Sequence, residues 1–319
     1  MESKSFMYDI IIIGAGTAGL SAAVYVARAG KRVLILEQKI YGGQIVNTPL
    51  VENYPGIPQI SGVEFARNLY GQATGLGAEF QNKQVVSIEN QQDGFKKVTV
   101  GNSFGAENRE DYLCKSVIIA AGTVKRQLEV PGEAEFAGRG VSYCATCDGA
   151  FFKEKTVVVA GGGNTALTDA LFLSQYCSEV YIVHRRDTFR GEHRILELLK
   201  KKENIRFVLN SHIVSIQGGE KVHSVRIQNC TTNASFTLPA AGVFVAIGQK
   251  PSNEIFQNIV EVDSHGYIQA GEDCHTSAVG IYAAGDCRTK GVRQLATAAA
   301  DGAVAALEAV LYVEHFKNS

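Results

Sequence analysis

The sequence predicts an α/β protein of two βαβ-type domains, the second inserted into the first. Three observations carry that expectation. A glycine-rich turn stands between a buried strand and a helix near the start of the chain, and the same pattern returns 147 residues later. The C-terminal stretch then holds one strand and one helix, too little to fold alone. The 319 residues are enough for two domains with a large core.

Asp9-Ile10-Ile11-Ile12-Ile13 is a continuous apolar run, which marks a strand buried on both faces. Gly14-Ala15-Gly16-Thr17-Ala18-Gly19 follows and opens a helix that ends near Gly30. A second strand, Arg32 to Leu36, closes on Glu37, 23 residues after Gly14. In this context GxGxxG reads as a dinucleotide site. The glycines let backbone approach a pyrophosphate, the helix N-terminus supplies amide donors, and Glu37 can bond ribose hydroxyls. Gly42-Gly43-Gln44 is a turn beside it, and Val51 to Gly56 is a loop whose Asn53 amide can serve a polar ring edge. Ser61-x-x-Glu64 has capping-box spacing and opens a helix toward Gly75. Val85 to Ile88 and Lys97 to Val100 alternate as a hairpin. Val117 to Gly122 is a buried strand ending in glycine, and Val243 to Gly248 is a near copy of it.

Shifting the first motif by 147 places Gly14, Gly16, Gly19, Val33 and Glu37 on Gly161, Gly163, Ala166, Val180 and His184. The chain therefore carries two Rossmann-like dinucleotide-binding folds. Asn164 and Thr165 open the second helix. Where the first copy has an acid, the second has His184, Arg185 and Arg186, with Arg190 beyond. An acid suits a free ribose, and a basic cluster suits a 2′-phosphate. The first site then takes FAD or NAD, and the second NADPH.

Ile281 to Asp286 is a further strand ending in Gly285 and Asp286. Arg293-Gln294-Leu295 opens a terminal helix with Ala299, Ala303, Ala306, Leu307 and Val310 on a broad apolar face. This tail completes the first domain, which spans 1–122 and 248–319 and leaves 123–247 as the insertion. Gly122 and Gly248 are the hinge candidates.

Cys144-Ala145-Thr146-Cys147-Asp148 lies within the insertion. Two thiols at this spacing close into a small disulfide ring and reopen, and the spacing favours a reactive thiolate. No second CxxC and no Cys/His pair at finger spacing accompanies it, so no metal is expected. Asp148 is the nearest ionisable group to the pair in sequence and can move its proton. Cys114, Cys177, Cys230, Cys274 and Cys287 read as ordinary packed residues. Seven cysteines, an odd number in a large chain, suit a cytoplasmic protein with one working pair. The net charge of −1 gives no basic field for nucleic acid. No leader-like segment precedes the first strand, and no apolar run approaches the roughly 18 residues of a membrane span.

The order GxGxxG, GGQ, VENYPG, CATCDG, GGGNTA, HRRDTFR, AAGDC and RQLA resembles the low-molecular-weight, bacterial-type thioredoxin reductases over essentially the whole chain. The combination of CATCDG with HRRDxFR is highly specific to them. The resemblance implies a class II pyridine nucleotide-disulfide oxidoreductase with FAD in the outer domain and NADPH in the inserted one. It implies that Cys147 faces the flavin, that Cys144 exchanges with thioredoxin, that Asp148 acts as acid and base, and that the protein is a homodimer. Thr17 stands where proline is frequent in the family, and Gly191 where alanine is usual. Two reactive partners cannot share one flavin face, so the inserted domain is expected to turn between half-reactions about Gly122 and Gly248. Other readings are a related flavin disulfide reductase with another partner or electron donor, and a nucleotide-binding redox sensor without turnover.

Overall fold

The computed structural model describes residues 6–48, 50–102 and 105–316. The chain divides into two compact units. One is formed by the residues up to Val124 together with those from Lys250 onward, the other by Lys125–Gln249.

In the first unit, the isoleucine run forms β1 (Phe6–Ile13), with Ile10, Ile11 and Ile12 fully buried. The glycine turn leads into α1 (Thr17–Arg28) and then β2 (Val33–Glu37). Helix α2 (Gly62–Gly75) starts at Ser61, whose hydroxyl accepts the Glu64 amide at 3.2 Å. The strands β3 (Glu79–Asn82), β4 (Gln84–Asn90), β5 (Lys96–Asn102) and β6 (Gly105–Ile119) follow. Their order is β3-β2-β1-β6-β5-β4, parallel from β3 to β6 and antiparallel beyond. The apolar run read as a separate strand from Val117 is only the end of the long β6.

The chain leaves this unit along β7 (Thr123–Lys125). The second unit contains β8 (Val141–Ser142), α3 (Ala145–Asp148), β9 (Thr156–Ala160), α4 (Asn164–Leu173), β10 (Glu179–Val183), α5 (His193–Lys200) and β11 (Ile205–Val208). It continues with β12 (Ser211–Gly218), β13 (Val222–Asn229), β14 (Ser235–Pro239) and β15 (Gly242–Val245). The order β11-β10-β9-β15-β8 is all parallel, and β12-β13-β14 is a separate antiparallel sheet that the sequence reading did not anticipate.

The repeat holds at the level of register. Ile10 to Ile13 pair with Val33 to Leu36, and Val157 to Ala160 pair with Val180 to Val183, each partner displaced by the same 147 positions. The two turns are built alike. Gly14 has φ +103°, and a Cβ there would lie 2.3 Å from the Ala120 carbonyl oxygen. Gly161 has φ +143°, and a Cβ there would lie 2.2 Å from the Ala246 carbonyl oxygen. Only glycine allows the turn to pass this close to the neighbouring strand's end.

After β16 (Gln249–Pro251) the chain is again in the first unit. There β17 (Ile281–Ala283) pairs parallel with the end of β6, Ile281 opposite Val117. Helix α6 (Leu295–Glu314) packs along α1. Ser21 donates to the Ala299 carbonyl at 2.7 Å, and a Cβ at Gly302 would lie 2.2 Å from the Ala18 carbonyl oxygen. The tail thus fills the helical side of the first sheet, with Ala305, Ala306 and Ala309 fully buried there. Contrary to the reading of the apolar runs, α6 is by length and composition apolar enough to cross a membrane. Its alanine-rich face is instead core against α1.

Candidate active site

The first glycine turn is braced from two sides. The Glu37 carboxylate accepts the Ala15 amide at 2.9 Å through Oε2 and the Lys39 amide at 2.9 Å through Oε1. The Gly42 amide donates to the Ala15 carbonyl at 2.7 Å, so Gly42-Gly43 lies over Gly16. Above Gly16 itself nothing comes within 4 Å of where a Cβ would stand, and no side chain caps the helix that Thr17, Ala18 and Gly19 open. Gln44 donates to the Thr123 carbonyl and hydroxyl at 2.8 and 2.9 Å, beside Gly122. Asn53 donates to Gln294 at 3.2 Å, across 241 positions of sequence. Gln294 caps α6 in a reciprocal pair with Thr297, just before Leu295. The Arg293 guanidinium lies 4.3 Å from the centre of the Tyr267 ring.

Two buried polar atoms here have no hydrogen-bond partner, Asp286 Oδ1 and Arg293 Nε. Burial pushes the Asp286 carboxyl above its ordinary value, with Lys290 and Arg293 opposing. Behind Asp286, Asp301 accepts the Gly285 amide at 2.9 Å, Arg288 at 2.8 and 2.7 Å, and Lys290 at 2.8 Å. Open space over a glycine turn, amide donors at a helix start, and two orphaned polar atoms fit a flavin nucleotide. The Arg288–Asp301–Lys290 cluster escaped sequence reading, because its members look like scattered surface charges until α6 folds onto the unit.

The second unit holds a cavity of about 390 Å³. Gly161, Gly163, Thr165, His184, Arg185, Arg190 and Gly248 line it, as do Arg126, Ser211 and His212, which the sequence did not single out. Asn164 and Arg186 do not line it. Asn164 instead accepts the Glu192 amide at 2.7 Å and ties the arginine loop to the start of α4. Gly191 in that loop is tightly packed, since a Cβ there would lie 2.5 Å from Leu167. Among the described residues, none of Arg185, Arg186 and Arg190 forms an ion pair. His184 does not add to this charge. It is buried, stacks on Phe189 with ring centres 5.3 Å apart, and lies under Gly162. Burial first, and the nearby arginines second, push its pKa below the ordinary value, so the neutral ring is favoured. The cavity's free positive charge comes from the arginines, a set suited to a phosphate-bearing nucleotide.

Cys144 and Cys147 form a disulfide, with Cα atoms 5.3 Å apart. Cys144 is the cap of α3, and its sulfur accepts the Cys147 amide at 3.3 Å. The Thr146 hydroxyl lies 3.4 Å from the same sulfur. Donors converging on one sulfur favour negative charge there once the bond opens. Ser142 donates to Asp148 at 2.6 Å and accepts the Cys144 amide at 3.0 Å. Lys125 donates to the Tyr143 carbonyl, and the Tyr143 hydroxyl donates to Glu133 at 2.8 Å. Buried Glu133 also accepts the Leu128 and Glu129 amides at 2.8 and 2.6 Å. The two residues before the redox pair, Ser142 and Tyr143, are thus held by contacts that sequence spacing does not reveal. Burial pushes the Asp169 carboxyl up to about 6, with Lys125 opposing. Four of the five remaining thiols are shielded. Cys114, Cys177, Cys274 and Cys287 are buried, and burial pushes their pKa values up to about 12, 11, 12 and 11. Cys230 is exposed.

Comparison with known proteins agrees with this arrangement. Residues 8–303 match the family described as pyridine nucleotide-disulphide oxidoreductase. A thioredoxin reductase of Listeria monocytogenes is 40% identical over 320 residues, covering 100% of this chain and 98% of that protein. One from Treponema pallidum is 43% identical over 312 residues, covering 98% and 99%. The crystal structure of the Lactococcus lactis thioredoxin reductase matches with a TM-score of 0.88 at 40% identity, covering 96% of this chain and 99% of that one. Two glycine turns of one design, a redox disulfide in the second unit, and full-length similarity together place the chain in the pyridine nucleotide-disulphide oxidoreductases, and within them in the thioredoxin reductase family.

Proposed function

We propose that this chain is an NADPH-dependent thioredoxin-disulfide reductase that passes two electrons through FAD to Cys144–Cys147 and on to the disulfide of thioredoxin. The observation that carries the reading is the closed Cys144–Cys147 ring with Asp148 held beside it. Such a ring is a two-electron store made of the protein's own atoms.

In this reading the first unit holds FAD. Gly14, Gly16 and the start of α1 would hold its pyrophosphate, Glu37 its ribose, and Gly43, Gln44, Asn53, Gly285, Asp286, Arg293 and Gln294 its remaining polar groups. The orphaned atoms on Asp286 and Arg293 support this assignment. The second unit holds NADPH, with Gly161, Gly163 and Thr165 at the pyrophosphate and Arg185 and Arg190 at the 2′-phosphate. When bound, the flavin links a hydride donor to a thiol pair that cannot accept hydride directly.

The chain's own residues complete the exchange. Once the ring is reduced, Cys144 attacks one sulfur of the partner disulfide and forms a mixed disulfide, and the partner's other sulfur leaves as a thiolate. Asp148 supplies the proton that this thiolate takes up. Cys147 gives up its thiol proton and attacks the Cys144 sulfur, and the bond to the partner breaks. The partner's second sulfur takes up that proton, and the ring closes as the partner departs with two thiols. The donors aimed at the Cys144 sulfur support its role as the attacking atom.

The assay is NADPH oxidation by purified holoprotein with thioredoxin. Turnover is expected for the wild type and none for Cys144→Ser or Cys147→Ser, although both variants should still accept electrons from NADPH. Thioredoxin reduction that survives in Cys144→Ser would contradict the assignment. We also propose a homodimer, to be read by light scattering as twice the chain's 34.3 kDa. A cytoplasmic setting suits one disulfide beside five free cysteines.

A further inference from the structure

Ser142 ends β8, is buried, and stands between the redox pair and Asp148. Its oxygen accepts the Cys144 amide at 3.0 Å. Its single proton has two acceptors in reach, Asp148 Oδ2 at 2.6 Å and the Cys144 carbonyl oxygen at 3.2 Å. A hydroxyl has one proton and two lone pairs, so it can serve only one of these acceptors at a time.

The two choices match the two states of the carboxyl. With Asp148 ionised, the Ser142 proton points to Oδ2, the shorter and charge-assisted contact. With a proton on Oδ2, that oxygen becomes a donor. The Ser142 oxygen still has a lone pair to accept it, because the Cys144 amide occupies only the other. The Ser142 proton then turns to the Cys144 carbonyl. The Ser142–Asp148 and Ser142–Cys144 amide contacts stay made in either state without moving a heavy atom. The Cys144 carbonyl keeps the Asp148 amide, at 3.1 Å, when the hydroxyl turns away from it.

We propose that Ser142 is a positioning residue for thiol–disulfide exchange, a hydroxyl rotor that keeps Asp148 against the redox pair whether or not the carboxyl carries a proton. The proposal rests on the reading of Asp148 as the acid and base. In the forward step neutral Asp148 gives its proton to the leaving thiolate, which becomes a thiol, and the rotor swings from the Cys144 carbonyl to the new carboxylate. The reverse swing accompanies recovery of a proton from solvent or from a thiol. The other charged groups at this site are Lys125 on β7, whose ammonium interacts with both Asp148 and Asp169, and Asp169 on α4. Neither is altered by a change at position 142.

The test measures thioredoxin reduction against pH in the full-length holoenzyme for wild type, Ser142→Ala, Ser142→Thr and Asp148→Asn, with bleaching of the flavin by NADPH as the control. Ser142→Ala removes a charge-assisted bond from the carboxylate and a weaker neutral bond from the acid, so the net change favours the neutral acid. The limb of the profile that marks loss of the acid's proton should move up by about one pH unit, tenfold in proton affinity. Ser142→Thr keeps the hydroxyl and should restore the wild-type limb. Flavin bleaching should be unchanged in both. If Ser142→Ala proves insoluble, Ser142→Gly, which also removes the hydroxyl and adds no thiol beside the pair, should show the same direction of shift.

A uniform fall in rate with an unmoved limb in Ser142→Ala, or an equal shift in Ser142→Thr, overturns the rotor. The control separates this from the reading beneath it. If Asp148→Asn abolishes the limb while Ser142→Ala leaves it in place, the acid stands and the rotor falls. If Asp148→Asn keeps both rate and limb, the acid reading fails and takes the rotor with it.

Discussion

Glu37 and His184 fill the same slot in two copies of one motif and do different work. Glu37 braces the glycine turn through the Ala15 and Lys39 amides and, in the proposed function, has lone pairs left for a ribose. His184 is buried, stacked and favoured neutral, which leaves the arginines as the cations of the second slot among the described residues. Arg185 and Arg190 line the cavity and Arg186 does not. A charged contact to phosphate contributes roughly 1.5–3 kcal/mol, about ten- to a hundredfold. Arg185→Ala and Arg190→Ala should therefore each lower kcat/KM for NADPH by at least about tenfold and leave NADH nearly unchanged, with Arg186→Ala weaker than either. Measured ratios of the two nucleotides check this, and a wild type that uses NADH as well as NADPH would contradict it. The sequence made the arginines legible because their place after the second strand is set by the motif's own length. It left Ser142, Lys125 and Glu133 illegible, because their roles arise from contacts with Asp148, Tyr143 and two amides that only folding brings together.

The elements most readable in the sequence were those whose backbone geometry admits one residue type. Gly14 and Gly161 each pass against a carbonyl oxygen, so both turns were visible before the structure. The antiparallel β12–β14 sheet is missed although Gly218-Gly219 punctuates its first hairpin, and the start of β6, residues 105–111, is missed because it is polar without an apolar run to mark it. The terminal helix was read from its alanines, but the ion cluster that fastens it was not. Asp301 on α6 is buried with Arg288 and Lys290 from the preceding loop. Burial works against ionising this carboxyl, but the hydrogen bonds from Arg288 and Lys290 outweigh it and hold its pKa below the ordinary value. A carboxyl depressed in the folded state contributes stability that is fully present above its unfolded value, near 4. That contribution is lost as pH falls through the lower folded value. Asp301→Ala leaves two buried cations without their partner and should cost about 3–5 kcal/mol near neutral pH. Urea unfolding from neutral pH down to about pH 3 should show the difference between variant and wild type shrinking with acid. A constant difference would mean that the cluster's charge is not what fastens the helix.

At the scale of the molecule, one design of nucleotide turn occurs twice in register, and the copies have diverged in what surrounds them. The first unit keeps orphaned polar atoms beside its turn. The second combines a cation-lined cavity with the redox disulfide. That division of labour was legible from motif order alone, because the order of GxGxxG, CATCDG and GGGNTA in the chain fixes which unit carries which chemistry. In the proposed function, electrons from NADPH reach Cys144–Cys147 through the flavin. The most direct measurement is anaerobic mixing of FAD-loaded protein with one equivalent of NADPH, then rapid alkylation and peptide mass mapping. Cys144 and Cys147 should change from a disulfide to two alkylated thiols, buried Cys114, Cys177, Cys274 and Cys287 should stay unmodified, and flavin-free protein should show no change at the pair. A disulfide that survives NADPH while the flavin is reduced would contradict the proposed function.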